Sequence, residues 1–237
     1  MKILKYTVQA LGVVLIVAFV FWKIARQPTF QFFGNLLYRV NTTDKIVALT
    51  FDDGPGPNNT EEVLSILKEN SIPATFFMIG QNIEAQPELA KKVLAAGHQI
   101  ANHSYSHKRM LLYGVDFCKN EILKTDQIIR SIGYKDEIVF RPPFGKKLFT
   151  LPLALKELGK LAVTWDAESN DTETQDARVL ETNVMSNIKP GSIILFHDGF
   201  ARKEGTLTAL REVVKELKSE GYSFATVNEL RKHAINN

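Results

Sequence analysis

The sequence predicts an α/β fold: a distorted, incompletely closed (β/α)7 barrel preceded by an N-terminal transmembrane helix. Three observations predict it. Seven short strand-like runs alternate with helix-patterned segments from Ile46 onward, as in a parallel sheet. Polar residues directly follow five of those runs, and a barrel gathers such carboxyl-terminal ends on one face, whereas an open sheet gathers only the pair at its switch point. Finally, Tyr6 to Trp22 is an uncharged, mostly apolar stretch. It is just long enough to span a bilayer, which needs about 17 to 25 residues.

Lys2 and Lys5 precede that stretch, and Lys23 and Arg26 follow it. A cleaved signal peptide would end in small residues, but this run ends Phe19-Val-Phe-Trp22 with no A-x-A pattern after it, and tryptophan suits the membrane interface. The reading is therefore a single-pass anchor over 1–26, a linker over 27–44 and a folded domain over 45–237. The flanking charges do not choose a side.

The elements follow in order. Ile46–Phe51 is nearly all apolar, as for a strand buried on both faces. Thr60–Asn70 has helical spacing, Ala74–Met78 is strand-like, and Glu88–Ala96 is a helix closed by Gly97. Gln99–Ala101 is a strand, Val115–Ile132 a helix ended by Gly133, and Ile138–Phe140 a strand. Leu151–Leu158, Arg178–Ile188 and Leu207–Ser219 are helices, alternating with strands at Leu161–Thr164, Ser192–Phe196 and Ser223–Val227. No internal repeat or low-complexity segment interrupts them. A hydrophobic fraction of 45% with 23% charged residues is that of a globular protein, and a net charge of +3 is too small to argue for nucleic acid. The lone Cys118 cannot form an internal disulfide, so it carries no information on compartment.

Chemistry concentrates where strands end. His103-Ser-Tyr-Ser-His107 spaces two imidazoles so that, on a helix, both share a face and can share a cation. Such a pair also occurs as surface or hydrogen-bonded histidines. Asp52-Asp53 sits at the end of an apolar strand before Gly54-Pro55, where it would serve as a turn or as costly buried carboxylates awaiting cationic partners. One carboxylate with two histidines forms the three-ligand set of catalytic zinc, which lowers the pKa of its water to about 7. The other carboxylate is free to take the proton, since neighbours in an extended segment point opposite ways. Arg141, in Arg141-Pro-Pro-Phe-Gly145, is either a solvent-facing cation or the partner of a site carboxylate. His197, ending Ile193–Phe196, is a candidate general acid.

These segments, Thr50-Phe-Asp-Asp-Gly-Pro55, His103-Ser-Tyr-Ser-His107, Arg141-Pro-Pro-Phe-Gly145 and Leu195-Phe-His-Asp198, stand in the order of the polysaccharide deacetylases. The stretch from Lys45 to His233 resembles that family, carbohydrate esterase family four or the NodB-homology domain. The resemblance implies that Asp52 is the base, that Asp53, His103 and His107 bind the metal, and that Arg141 tethers Asp52. It implies that the backbone N–H of Phe144 stabilises the oxyanion, that His197 is the acid and that Leu195 lines the acetyl pocket. In Trp165-Asp-Ala-Glu-Ser-Asn-Asp171, Asp171 takes the position that orients the acid and Trp165 joins the substrate pocket. Thr172 stands where the family usually has tryptophan, and Glu168 where an aspartate is common; Lys108 replaces a frequent proline.

The implied reaction is hydrolysis of N-acetyl groups on N-acetylglucosamine-type residues of peptidoglycan or a chitin-like glycan; such a polymer lies outside the cell, which places the domain on the extracytoplasmic side of the cell membrane. The implied cofactor is a divalent metal, Zn2+ first, with Co2+ or another ion as alternatives. An O-acetyl esterase acting on xylan needs the same catalysts. An inactive glycan-binding module would have lost a ligand or the base, and this chain keeps both.

Overall fold

The computed structural model describes residues 2–199 and 203–235. The outermost positions of the expected first and last segments, Met1 and Asn237, lie outside it. The chain runs α1 (Lys2–Ala25), β1 (Leu36–Leu37), β2 (Ile46–Asp52), α2 (Thr60–Asn70), β3 (Thr75–Met78), α3 (Gly80–Ala85), α4 (Pro87–Ala95) and β4 (Gln99–Asn102). It continues with α5 (Val115–Ser131), a 3-10 turn (Pro143–Gly145), α6 (Thr150–Glu157), β5 (Ala162–Val163), β6 (Ala167–Glu168) and α7 (Ala177–Met185). The last elements are β7 (Ile193–His197), α8 (Glu204–Ser219), β8 (Ser223–Phe224), α9 (Val227–Leu230) and a 3-10 turn (Arg231–His233).

The sheet is parallel, ordered β4-β3-β2-β7-β6, with β8 pairing the start of β2. Single bridges from Asn102 to Phe140 and from Phe140 to Ala162 lead on to β5, which pairs β1. No ladder completes a ring among the described residues. The α/β class with a parallel sheet is as the sequence predicts. The strand expected at Ile138–Phe140 is reduced to the bridging residue, and β1, β6 and α3 are additions.

All seven residues of β2 are buried, because it is covered on both faces. Val47, Leu49 and Phe51 point to one side, where they meet Phe76, Phe196, Val63 and Leu67 of α2 and Leu210 and Val214 of α8. Ile46 and Ala48 point to the other, with Phe77, Ala101, Val163 and Ile193. Gly97 and Gly133 take φ of +82° and +100° after α4 and α5, the left-handed closure that glycine admits without steric cost. Register then fixes the site: Asp52 lies level with Phe77 of β3 and His197 of β7, at the carboxyl edge.

The expected transmembrane anchor is not borne out, and the cell-membrane, single-pass placement falls with it. Among the described residues no helix is long and apolar enough to cross a membrane. Thr7, Gln9 and Gly12 interrupt the stretch. The unbroken apolar run Val13–Trp22 is about 15 Å of helix, half of the roughly 30 Å hydrocarbon core. The end of α1 instead packs on the sheet domain: Ala25 is buried and its carbonyl accepts a 3.0 Å bond from Lys147 N–H, while Phe21 meets Phe149 edge-on at 5.6 Å.

Candidate active site

A cleft of about 570 Å³ opens at the carboxyl edge of the sheet. Asp52, Asp53, His103, His107, Phe144, Trp165, Leu195 and His197 line it together. Arg141 and Asp171 lie just behind, each bonded to one of these. The sequence-predicted residues are therefore brought to one place.

Arg141 is fully buried, which is costly for a cation unless every donor is answered. Nη1 donates to Asp52 Oδ1 at 2.7 Å and to Thr50 Oγ1 at 2.8 Å; Nη2 donates to Thr164 O at 3.1 Å and Nε to Val163 O at 3.4 Å. The guanidinium lies 3.9 Å from the centre of the Phe77 ring, a cation–π contact. The solvent-facing alternative for Arg141 is thereby excluded. Thr50 opens the first of the four motifs, where the sequence assigns it no role; here it accepts from Arg141 and donates to Ile194 O at 2.6 Å.

The histidine segment is a loop, so a helical face is not what brings its imidazoles together; Ser104 and His107 adopt φ of +65° and +54°. Asn102 builds that loop, its Oδ1 accepting from Ser104 N–H at 2.8 Å, and Ser104 Oγ accepts from His107 N–H at 3.0 Å. His103 Nδ1 lies 2.9 Å from Arg141 O, which aims Nε2 into the cleft. The aspartates also differ from expectation. They do not point to opposite sides, because Asp53 adopts φ of +70° and turns its carboxylate back beside Asp52. Next to it, an added Cβ on Gly54 would lie 2.5 Å from Asp198 Oδ1, so only glycine lets the strand end approach β7 this closely.

Asp53 Oδ1 lies 3.1 Å from His107 Nε2 and 3.4 Å from His103 Nε2, and the ligand atoms of the three residues fall within 4.8 Å of one another. Oδ1 is buried without an aligned hydrogen-bond donor. Burial works against ionisation of Asp53, but contact with His103 and the neighbouring imidazole charges hold its pKa at about 2. Burial likewise opposes a charged His103, yet Asp52 and Asp53 pull its pKa above the usual value, so the site favours positive charge. Burial and His103 push His107 down to about 4, leaving it neutral as a ligand must be. An orphaned carboxylate oxygen facing two imidazoles, with the Asp52 carboxylate 3.7 Å from His103 Nε2, fits a divalent cation.

Across the cleft, His197 Nδ1 lies 2.6 Å from Asp171 Oδ1, and His197 N–H donates to Asp171 Oδ2 at 3.0 Å. Burial alone would lower the pKa of His197; the bond and charge of Asp171 reverse that and raise it to about 9. Trp165 Nε1 donates to Glu168 Oε2 at 2.9 Å, and Leu195 is buried in the cleft floor. Thr172 lines the cleft where the missing tryptophan was expected. Phe144, at φ of +59°, lays its ring 4.4 Å from that of His107. The sequence reading missed Arg26, Lys146 and Lys203, which also line the cleft and which no motif connects.

A polysaccharide deacetylase family model matches residues 39–181. The chain is 35% identical to a peptidoglycan-N-acetylglucosamine deacetylase of Bacillus cereus, over 84% of this chain and 94% of that one. It is 33% identical to the peptidoglycan-N-acetylmuramic acid deacetylase PdaC of Bacillus subtilis, over 81% of this chain and 40% of that one. Its structure resembles that of a peptidoglycan N-acetylglucosamine deacetylase in complex with 4-naphthalen-1-yl-N-oxidanyl-benzamide, with a TM-score of 0.79 and 31% identity over 85% and 95% of the two chains.

Proposed function

The chain belongs to the polysaccharide deacetylase family, and from that premise we propose that it removes N-acetyl groups from N-acetylglucosamine-type residues of peptidoglycan. The observation that carries the reading is the opposition across one cleft of Asp53-His103-His107 and the Asp171-bound His197. The names of the relatives support peptidoglycan over a chitin-like polymer. We assign catalysis to 45–237, with 27–44 as the connecting segment.

Asp53, His103 and His107 would hold a divalent cation, zinc in our reading with cobalt as a substitute, which supplies Lewis acidity toward water and the acetamide carbonyl. Asp52, fixed by Arg141, takes a proton from the attacking water. The backbone N–H of Phe144 donates to the carbonyl oxygen as it gains charge. His197, protonated at neutral pH and oriented by Asp171, gives its proton to the departing nitrogen. The C–N bond breaks, leaving acetate and a free amine on the sugar. Leu195 and Trp165 wall the space for the acetyl group.

Acetate release tests this on a panel of peptidoglycan, chitin oligomers and acetylxylan. Release from peptidoglycan is expected, abolished by a chelator and restored by zinc or cobalt. Release from acetylxylan alone would replace this reading with an O-acetyl esterase, and no release from any reloaded sample would leave only glycan binding.

A further inference from the structure

Three cations crowd one side of the cleft mouth. Arg26, from the turn after α1, and Lys146, after the Pro143–Gly145 turn, line the cleft. The guanidinium of Arg109 lies 4.6 Å from the centre of the Phe144 ring, with Lys146 Nζ 5.9 Å from the same centre. Arg26 and Arg109 are exposed and Lys146 is half-buried. Arg26 stacks on Trp22 at 4.7 Å. Among the described residues none of the three has a carboxylate within ion-pair distance. Burial, Arg109 and Arg26 together lower the pKa of Lys146, so the cluster repels itself.

A self-repelling cluster beside a catalytic cleft gains when an anion arrives. The shared platform also fixes where. The Phe144 ring lies tilted against that of His107, one of the proposed metal ligands, so the cations begin one ring away from the reacting acetyl group. That offset suits a substituent on the sugar next to the one being deacetylated. Arginine forks pair well with carboxylates. The three residues come from distant parts of the sequence, and one of them is delivered by the docked end of α1.

We propose that Arg26, Arg109 and Lys146 form a subsite for a carboxylate carried by the glycan, which makes the enzyme prefer anionic over neutral polymers of acetylated amino sugars. The inference rests on the deacetylase reading for its biological sense but not for its test. The carboxylate has two sources in peptidoglycan, the lactyl acid on a bare sugar strand and the acids of the stem peptide.

The test is calorimetric binding to the full chain in the presence of a chelator, so that no turnover occurs. The ligands are chitotetraose and the matching peptidoglycan tetrasaccharide, with and without stem peptides. The wild-type chain is expected to bind a carboxylated tetrasaccharide several-fold more tightly than chitotetraose, an advantage that shrinks between about 50 and about 500 mM salt. The triple variant R26Q/R109Q/K146Q should lose about tenfold toward the carboxylated ligand and under about twofold toward chitotetraose, as expected for three solvent-facing ion pairs. Its melting temperature and that of the single variant R26Q report that folding is intact. Preference for the bare strand assigns the cations to the lactyl acid, and preference only for the peptide-bearing strand assigns them to the stem; both support the subsite. Equal wild-type affinity for chitotetraose and both carboxylated ligands, or a triple variant that keeps the preference, overturns it. A preserved preference without acetate release from metal-loaded enzyme would remove the deacetylase reading and leave the subsite standing.

Discussion

Arg141 Nη1 donates to Asp52 Oδ1 at 2.7 Å with both side chains buried. The pair is the hinge of the site: the same guanidinium is held by the carbonyls of Val163 and Thr164, and the carbonyl of Arg141 orients His103. Removing one partner leaves the other buried and unanswered, which costs roughly 3–5 kcal/mol. Arg141→Met should therefore lower the melting temperature as well as abolish acetate release. Arg141→Lys keeps the charge but not the fork that reaches Thr50, Asp52 and Thr164 together, so its release should fall about 100-fold through loss of position. Wild-type turnover in Arg141→Lys would show that charge alone suffices.

The two aspartates should separate by metal content. Asp53 offers its oxygen to both imidazoles, whereas Asp52 is committed to Arg141 through Oδ1. Asp52→Asn is expected to retain close to wild-type metal by elemental analysis while losing about 100-fold to 10,000-fold in turnover, the usual span for a general base. Asp53→Asn should lose metal as well as activity. Loss of metal from Asp52→Asn would mean that both carboxylates are ligands and would undo the division of roles.

Gly145 sets the turn that carries Phe144. Its φ is +64°, and an added Cβ would lie 2.7 Å from Trp165 Cη2. Gly145→Ala pays both for the left-handed backbone and for displacing the indole, about 1–3 kcal/mol together. Chemical denaturation should register that loss, and acetate release should fall with it. Because the clash is with the outer indole ring, Trp165→Phe should absorb part of the stability loss in the double variant. A loss of the same size in both backgrounds would place the strain in the backbone alone.

The strands that position the site are legible in the sequence for a physical reason. β2 and β7 are covered on both faces, so they read as nearly continuous apolar runs whose ends are marked by Asp52 and His197. The helices are legible because α2, α5 and α8 each bury one stripe. What was not legible is set by loops and distant contacts. The six-residue α3 and the two-residue β6 are too short for any period to emerge. The His103–His107 spacing would share a cation on a helix as well, and the loop that does so here follows from the Asn102 side chain capturing Ser104 N–H. Arg26, Arg109 and Lys146 acquire meaning only once the chain brings them to the cleft, and the role of Thr50 within its motif only once it meets Arg141. The apolar stretch near the N-terminus was read by its overall composition rather than by its interruptions at Thr7, Gln9 and Gly12.

The pH dependence of turnover should report the bond between His197 and Asp171. Burial would lower the imidazole's pKa below its ordinary 6.5, and Asp171 raises it to about 9 instead. Asp171 is itself held below its ordinary 3.8, with burial opposing and His197 prevailing, so it stays ionised throughout the working range. An acid must be protonated to give its proton away. Acetate release should therefore hold through neutral pH and decline as the pH rises past about 9. In Asp171→Asn the bond and charge of Asp171 are gone, while burial still lowers the pKa and only the charges of Asp52 and Asp53 still raise it, so the declining limb should move toward neutral pH. Stability follows the same sign, because a pKa raised in the folded state stabilises fully below the unfolded value of about 6.5 and is lost as pH climbs through the folded one. Melting temperature should thus fall between those limits in the wild-type chain, and this part of the fall should be smaller in Asp171→Asn. If the alkaline limb stays in place when Asp171 is replaced, His197 is not the group that titrates there, and the proton given to the leaving nitrogen comes from elsewhere.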